Sequence, residues 1–180
     1  MAKKPAKKKP QQPKESNLKP LIREFLLDGC LLKEDIKNPN LDFGFKFLYP
    51  PTPNGRPFSV AKPKKKDFID ITHGLHLAPN HSEAFDQLEG EKKNEFITKL
   101  LNIVHYKGLI CDLRFKKEKK VYIIADRIYI EDKAKISINK FYKTIRMIFG
   151  TASFSVTFIN EFLLGKFEPG DITSGPSFYT

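Results

Sequence analysis

Five large apolar residues at alternate positions between residues 41 and 49 constrain the fold of this chain more than any other feature. They are Leu41, Phe43, Phe45, Phe47 and Tyr49, and smaller or polar residues separate most of them. Successive side chains of an extended strand point to opposite faces, so this spacing predicts a β-strand with one apolar face. A strand of this kind requires a sheet beside it and a covering layer above that face.

Four more strands are predicted from short segments that are rich in β-branched and aromatic residues and end at turn residues. With the aromatic strand, they cover residues 41–49, 57–61, 67–72, 109–115 and 120–130. Lysine-rich turns separate the second strand from the third and the fourth from the fifth. Connections of this length favour hairpins and hence a mainly antiparallel sheet.

Three helices are predicted from apolar residues spaced three and four apart. The first begins at Leu18 and stops at Gly29. The second starts near Asn80 and carries its apolar stripe at residues 96–104. The third runs from about residue 139 to 164, although its β-prone middle, residues 150–157, leaves helix and strand both open there.

The resulting order, α-β-β-β-α-β-β-α, predicts an α+β fold: a mainly antiparallel five-stranded sheet with helices packed on one face. Residues 1–16 are almost entirely lysine, proline, alanine and glutamine, so we expect a disordered tail there. Residues 17–164 form the predicted domain, and 165–180 a loose C-terminal tail. No apolar run approaches the roughly 18–20 residues of a membrane span. The basic N-terminus lacks the apolar segment of a secretory leader. We therefore expect a cytoplasmic protein without a membrane partner.

The formal net charge of +11 is concentrated in lysine clusters. Six lysines and Glu15 give residues 1–16 a charge of +5, which leaves +6 for the other 164 residues. Lysine is a hydrated point charge, so such clusters are typical of contacts to a phosphate backbone that do not read sequence. Charged hairpin turns are also ordinary solvated surface, and lysine protects sheet edges from aggregation. The candidate polyanion-binding residues are Lys3, Lys4, Lys7, Lys8, Lys9, Lys14, Lys62, Lys64, Lys65, Lys66, Lys116, Lys117, Lys119 and Lys120.

Three histidines within nine residues are the strongest candidate metal ligands. They are His73, His76 and His81, with Asp70 or Glu83 as a fourth ligand of a zinc site. Zinc ligands usually lie four residues apart on a helix or in a tight knuckle, and the spacings of three and five match neither. We therefore predict loop or capping histidines and no metal site.

Catalytic patterns are weaker still. No glycine-flanked nucleophilic serine and no glycine-rich phosphate loop before a helix occur, and Cys30 and Cys111 are expected to be reduced core thiols. Four aspartates are predicted on the solvated outer faces of strands: Asp42, Asp70, Asp112 and Asp126. The sequence therefore predicts a protein that is not an enzyme and has no cofactor.

The aromatic strand has a second interpretation, because RNA-binding sheets stack bases on exposed phenylalanines. The segment from Phe43 to Phe47 lacks the leading basic residue and the residue order of that pattern. Since Leu41 and Tyr49 extend the same stripe, we favour a core strand over a stacking platform.

The order of elements over residues 17–164 resembles the type III secretion chaperone-like fold, which includes the YbjN-like proteins and an archaeal and bacterial domain family of that shape. The resemblance rests on the opening helix around Leu21, on the strand and loop at residues 67–74, and on the helix from Glu95 that leads into a hairpin. It implies a small dimer that binds other polypeptides and has no catalytic residues.

The leading hypothesis is a non-enzymatic, chaperone-like binding or scaffolding protein that engages a polypeptide partner or forms a homodimer through an apolar surface. The alternative is an accessory protein that contacts the DNA or RNA backbone through the lysine-rich tail and hairpins. The partner and the oligomeric state stay open at the level of sequence.

Overall fold

A computed structural model describes residues 18–116, 119–130 and 136–165. The predicted tail of residues 1–16, with its six lysines, lies outside the described residues, as do Lys117 and residues 166–180. The described residues form four helices and six strands. In chain order these are α1 (Leu18–Asp28), β1 (Leu32–Asp35), β2 (Leu41–Tyr49), β3 (Arg56–Pro63), β4 (Phe68–His76), α2 (Pro79–Gln87), α3 (Gly90–His105), β5 (Ile110–Phe115), β6 (Lys120–Tyr129) and α4 (Ile138–Leu164).

The strands form one antiparallel sheet with the order β1-β2-β3-β4-β6-β5. The first four strands follow one another as a meander. Helices α2 and α3 then carry the chain past the position of β6, so that β5 becomes the edge strand and β6 fills the place beside β4. Strands β4 and β6 pair along nine residues, from Phe68 opposite Tyr129 to His76 opposite Val121. This long pairing forms the middle of the sheet.

The predicted aromatic stripe is the centre of the core. Phe43, Phe45 and Phe47 are buried, and the strand register places Val60 and Ile71 beside Phe45 on the same face. We call this the inner face of the sheet. The core interpretation of the stripe is therefore confirmed, and these rings do not form an exposed stacking platform.

All four helices contact the inner face. The guanidinium of Arg23 in α1 lies over the Phe45 ring, and Phe149 in α4 packs edge-on against Tyr49. Phe115 of β5 packs against the rings of Phe85 in α2 and Phe96 in α3. The opposite, outer face of the sheet contacts none of these helices. The fold thus has two layers, as the sequence predicted.

The prediction of five strands is wrong, because β1 forms a sixth. The segment is only four residues long and contains Lys33, Glu34 and Asp35, so it has no apolar alternation. It pairs with β2 at the edge of the sheet, where charged side chains remain solvated. The predicted second helix is in fact two helices, α2 and α3, since the backbone is extended at Leu88 and Glu89.

Helix α4 is continuous over 27 residues, and its β-prone middle is helical. Ser137 caps it by accepting a hydrogen bond from the Lys140 backbone N–H, and Gly165 ends it in the left-handed conformation. In length and mean hydropathy α4 also resembles a membrane span. The sequence analysis did not predict this resemblance, because polar residues interrupt the apolar run. Core helices pass the same test, and Phe141, Ile145, Ile148 and Ile159 of α4 are buried within the fold.

Candidate binding surface

The outer face of the sheet carries an apolar track along β6. Val121, Ile123 and Ala125 are half-buried there, and they alternate with Tyr122 and Ile124, which are buried on the inner face. Strands with one solvated face usually alternate apolar and polar residues, whereas a continuous apolar run is typical of a strand covered on both faces. No helix of the described residues covers this track.

The neighbouring strands place small, apolar and charged residues beside the track, with Asp112 opposite Ile123 and Arg114 opposite Val121. Gly74 of β4 lies opposite Ile123, and a Cβ added to it would meet nothing within 4 Å. Ile110 of β5 lies opposite Ala125 and is 41% exposed. Between β3 and β4, the hydroxyls of Ser59 and Thr72 hydrogen-bond to each other at 2.6 Å, which satisfies both groups within the sheet. The outer face beside the track is therefore small and weakly polar towards β4 and Ile110, and charged at Asp112 and Arg114.

Three basic side chains of the outer face are paired with acids. Arg127 donates to Asp70 at 3.0 Å while its guanidinium lies over the Phe68 ring, and Arg114 donates to Asp112 at 2.7 Å. Lys46 lies 2.6 Å from its partner on β1, Glu34. Each of these three cations is balanced by an acid, so the face does not present the excess positive charge that a polyanion requires.

Two of the predicted polyanion-binding lysines are buried instead. Lys62 is 6% exposed and lies 2.6 Å from Asp42, and Lys120 is 4% exposed and lies 2.7 Å from Asp86. Their positions in β3 and β6 place them on the inner face, where the ammonium groups require carboxylate partners. Inclusion of Lys62 and Lys120 in an exposed cluster was therefore wrong.

The remaining described lysines of the set lie at opposite ends of the sheet. Lys64, Lys65 and Lys66 are exposed in the turn between β3 and β4, near the Phe68 end of β4. Lys116 and Lys119 are exposed in the turn between β5 and β6, near the His76 end. Nine residues of β4 span about 27 Å at ~3.3 Å per residue. The fold therefore separates the two turns rather than joining them into one patch.

The three histidines do not converge. His73 and His76 both belong to β4, which extends beyond the predicted end at residue 72, and their separation of three residues puts them on opposite faces. His81 lies in α2. Prediction of loop or capping histidines was wrong for His73 and His76, since both are strand residues and His73 is buried on the inner face. No group of three metal-binding side chains occurs among residues 18–116, 119–130 and 136–165.

His73 instead belongs to a polar cluster beneath α4. Its ring stacks on Phe58 at 4.5 Å, and its Nδ1 lies 2.7 Å from the Pro57 carbonyl oxygen. Burial lowers the pKa of His73 to about 4, partly offset by that hydrogen bond, and the nearby charge of Arg56 lowers it further. The His73 Nε2 and the Tyr122 hydroxyl are both buried without a hydrogen-bond partner in the structure. This environment favours the neutral imidazole, and Arg56 beside it donates to the Ser153 hydroxyl of α4 at 3.3 Å.

The sequence from residue 18 to 159 matches the family described as uncharacterized conserved protein (DUF2299). That match covers most of the folded domain. The chain belongs to the DUF2299 family. A search of curated proteins gives no significant match.

A solved structure shares the fold of this DUF2299 protein. It is the crystal structure of an uncharacterized protein from Methanothermobacter thermautotrophicus, which aligns with a TM-score of 0.71 and 21% sequence identity. The alignment covers 81% of this chain and 98% of that chain. The likeness supports the two-layer architecture.

The remaining candidate groups of the DUF2299 chain are placed differently from the sequence prediction. Cys30 is exposed at the end of α1 with φ 54°, so it is not a core thiol, whereas Cys111 is half-buried in β5. Burial, with the adjacent Asp112 charge, raises the pKa of the Cys111 thiol to about 11, which opposes thiolate chemistry. Asp126 lies on the inner face rather than the outer one. Thr144 of α4 donates to it, and burial raises its pKa.

The outer track on β6 was missed as a functional surface, although the sequence contains its signal. Residues 121–125 are apolar at every position, whereas β2 alternates. The sequence analysis predicts a strand here, without assigning its side chains to the two faces of the sheet. The composition of residues 121–125 favours a strand that is buried on both faces.

Proposed function

We propose that this protein is a non-enzymatic, chaperone-like binding module that holds an extended apolar segment of another polypeptide on the outer face of its sheet. The observation that carries the proposal is the apolar track of Val121, Ile123 and Ala125 on a face that the described helices leave open. Apolar side chains that stay partly exposed next to one another on one face are typical of interaction sites in soluble proteins.

The shape and charge of the face favour a polypeptide over other ligands. The track runs along a single strand at the surface of the sheet, so it suits an extended chain better than a small molecule, which would need a concave pocket. Its charged neighbours are balanced pairs, so binding would derive mainly from burial of apolar surface, at roughly 25 cal/mol per Å². That energy depends little on ionic strength.

Contact with a nucleic-acid backbone is the second candidate. The exposed turn of Lys64, Lys65 and Lys66 is the observation that favours it. Since Lys62 and Lys120 are buried and the two lysine turns lie at opposite ends of β4, the described surface offers a small footprint to phosphate. Such binding would be weak and would fall steeply as salt is raised.

A paired titration tests the two candidates. The probes are a permanently unfolded, reduced and carboxymethylated polypeptide and a single-stranded oligonucleotide, each carrying a fluorophore whose anisotropy is followed over a salt series. We expect the unfolded polypeptide to bind with little dependence on salt. The variant Ile123→Glu should weaken that binding by about tenfold or more, because it places a charge in the apolar track.

The matched control is the triple variant in which Lys64, Lys65 and Lys66 are alanine. It should bind the unfolded polypeptide as the wild type does, because its substitutions lie beyond the end of β4. The polypeptide proposal is refuted if only the oligonucleotide binds and the triple lysine variant alone loses that binding.

A further inference from the structure

The two edge strands of the sheet differ in how they are protected. β1 has four residues, and its Glu34 and Asp35 form ion pairs with Lys46 and Arg23. β5 has six residues and pairs with β6 alone among the described strands. Its burial alternates, with exposed residues on the outer face and half-buried residues on the inner one. An edge strand of this length and regularity presents backbone N–H and C=O groups to another strand.

The charged residues of β5 are complementary to those of a second, antiparallel copy of the same strand. Asp112 and Arg114 lie on the outer face on either side of Leu113. Residues directly opposite one another in an antiparallel pair share a face, so two copies of β5 can pair only in registers that preserve that face. With Leu113 opposite its own copy, Asp112 of each chain lies opposite Arg114 of the other.

The neighbouring registers are less favourable, because each sets one pair of like charges opposite one another, and only the register with Arg114 at the axis gains pairs of Asp112 with Lys116 in return. A shift by one step in one direction sets Asp112 opposite Asp112, and the step in the other direction sets Arg114 opposite Arg114. Like charges directly opposite each other destabilise a strand pair, whereas opposite charges stabilise it. In the favoured register the remaining pairs are also compatible, since Cys111 lies opposite Phe115 and exposed Ile110 lies opposite the stem of Lys116.

We propose that two copies of this chain associate through their β5 edges, antiparallel and with Leu113 at the two-fold axis. The pairing joins the two sheets into one sheet of twelve strands. Both outer faces lie on the same side of it, because the two-fold axis is perpendicular to the sheet. This inference does not rest on the proposed polypeptide function, since the edge and the outer face are different surfaces.

Charge reversal tests the edge. The molar mass of the full chain is measured by sedimentation equilibrium over a concentration series, and the wild type should reach twice the chain mass of 20.7 kDa. Asp112→Arg and Arg114→Asp should each raise the dissociation constant of the dimer by roughly tenfold or more, because each places like charges opposite one another. The double variant D112R/R114D restores opposite charges in the same register and should dimerise within about threefold of the wild type.

The substitutions leave the folded monomer testable. The side chains of Asp112 and Arg114 are 49% and 62% exposed, so the circular dichroism spectrum of each single variant should match that of the wild type, while its unfolding temperature falls only by the stabilisation that the dimer contributes. Failure of the double variant to recover the dimer would overturn the proposed register. A monomeric wild type, or a dimer that survives both single reversals, would overturn the β5 interface itself.

Cross-linking tests the position of the axis. In a background where Cys30 and Cys111 are serine, Leu113→Cys should form a disulfide-linked dimer under mild oxidation, since opposed residues lie within disulfide reach. Ile110→Cys in the same background is the matched control. It would lie about 20 Å from its copy, at ~3.3 Å per residue, and should not cross-link. Efficient cross-linking at residue 110 with none at 113 would refute the proposed axis.

Discussion

The inner and outer faces of the sheet are formed by the same strands, but the inner face buries polar groups and the outer face leaves apolar groups partly exposed. The inner face buries Lys62, His73 and Lys120 among aromatic rings, and carboxylates or a carbonyl oxygen contact each of them. The outer face leaves Val121 and Ile123 half-exposed between ion pairs. Residue type alone therefore does not assign a side chain to a face. The partners that each face supplies decide it.

The largest contrast should appear when an apolar side chain is truncated on each face. Phe45 on the inner face is fully buried, so Phe45→Ala should lower the free energy of unfolding by about 3–5 kcal/mol through lost burial and a cavity. Ile123→Ala on the outer face should lower it by only about 1 kcal/mol, because Ile123 is already partly solvated. Urea unfolding followed by circular dichroism measures both. Similar losses would mean that the outer face is buried in solution.

The loss of stability in acid should depend on His73, on the inner face, and not on His76, on the outer face. His73 has a pKa of about 4 in the folded protein and 6.5 when unfolded, so the unfolded state binds more protons between these values. The stabilisation is complete above pH 6.5 and is lost as the pH falls towards 4, by about 3 kcal/mol. Burial raises the pKa of Asp126, which opposes this loss, since the folded state then binds a proton more readily.

The corresponding variants identify the source of the acid sensitivity. His73→Phe keeps a ring against Phe58, and it should flatten the dependence of unfolding free energy on pH between 4 and 6.5. His76→Gln is the control, because His76 is exposed on the outer face, and it should keep the wild-type slope. If the His73 variant retained the full slope, another group would be responsible.

The smallest difference in stability between the two faces should appear when one ion pair is removed from each. Lys120→Met replaces a buried ammonium, which lies over the Phe85 ring, with an apolar thioether, so stability should stay within about 1 kcal/mol of the wild type or rise slightly. Arg127→Met on the outer face should change it by less than about 0.5 kcal/mol. A loss above roughly 3 kcal/mol in the Lys120 variant would show that this inner pair contributes strongly to stability, beyond what apolar replacement restores.

Local periodicity was enough to predict most of the fold. The stripe from Leu41 to Tyr49 and the spacing in α4 each reflect burial of one face of an element, which sequence records directly. β1 was missed because it is stabilised by pairing and ion pairs, and neither leaves a periodic pattern in four residues. The break between α2 and α3 depends on the extended backbone of Leu88 and Glu89, directly before Gly90, and the apolar spacing on either side does not show it.

The candidate surface was much less predictable. A lysine count could not distinguish exposed Lys64 from buried Lys62, since the difference depends on the carboxylate of Asp42, on the neighbouring strand. Separation of the two lysine turns likewise required the strand order, which places β6 between β4 and β5. The apolar run at residues 121–125 can be read from the sequence. The sequence does not show that the helices cover only the inner face and leave Val121, Ile123 and Ala125 on the other one.

Helix α1 is held by the far end of the chain. The Tyr142 hydroxyl in α4 donates to the Phe25 carbonyl oxygen at 2.6 Å, and the Phe25 and Phe141 rings are 5.7 Å apart. A ribosome releases α1 first and α4 last among the helices, so the contacts of α1 with α4 form only after nearly the whole domain has emerged, although those with β1 and β2 can form earlier. An isolated helix of 11 residues is only marginally stable in water. A stalled nascent chain that ends before residue 138 should therefore leave α1 susceptible to protease, even after the first strands have emerged.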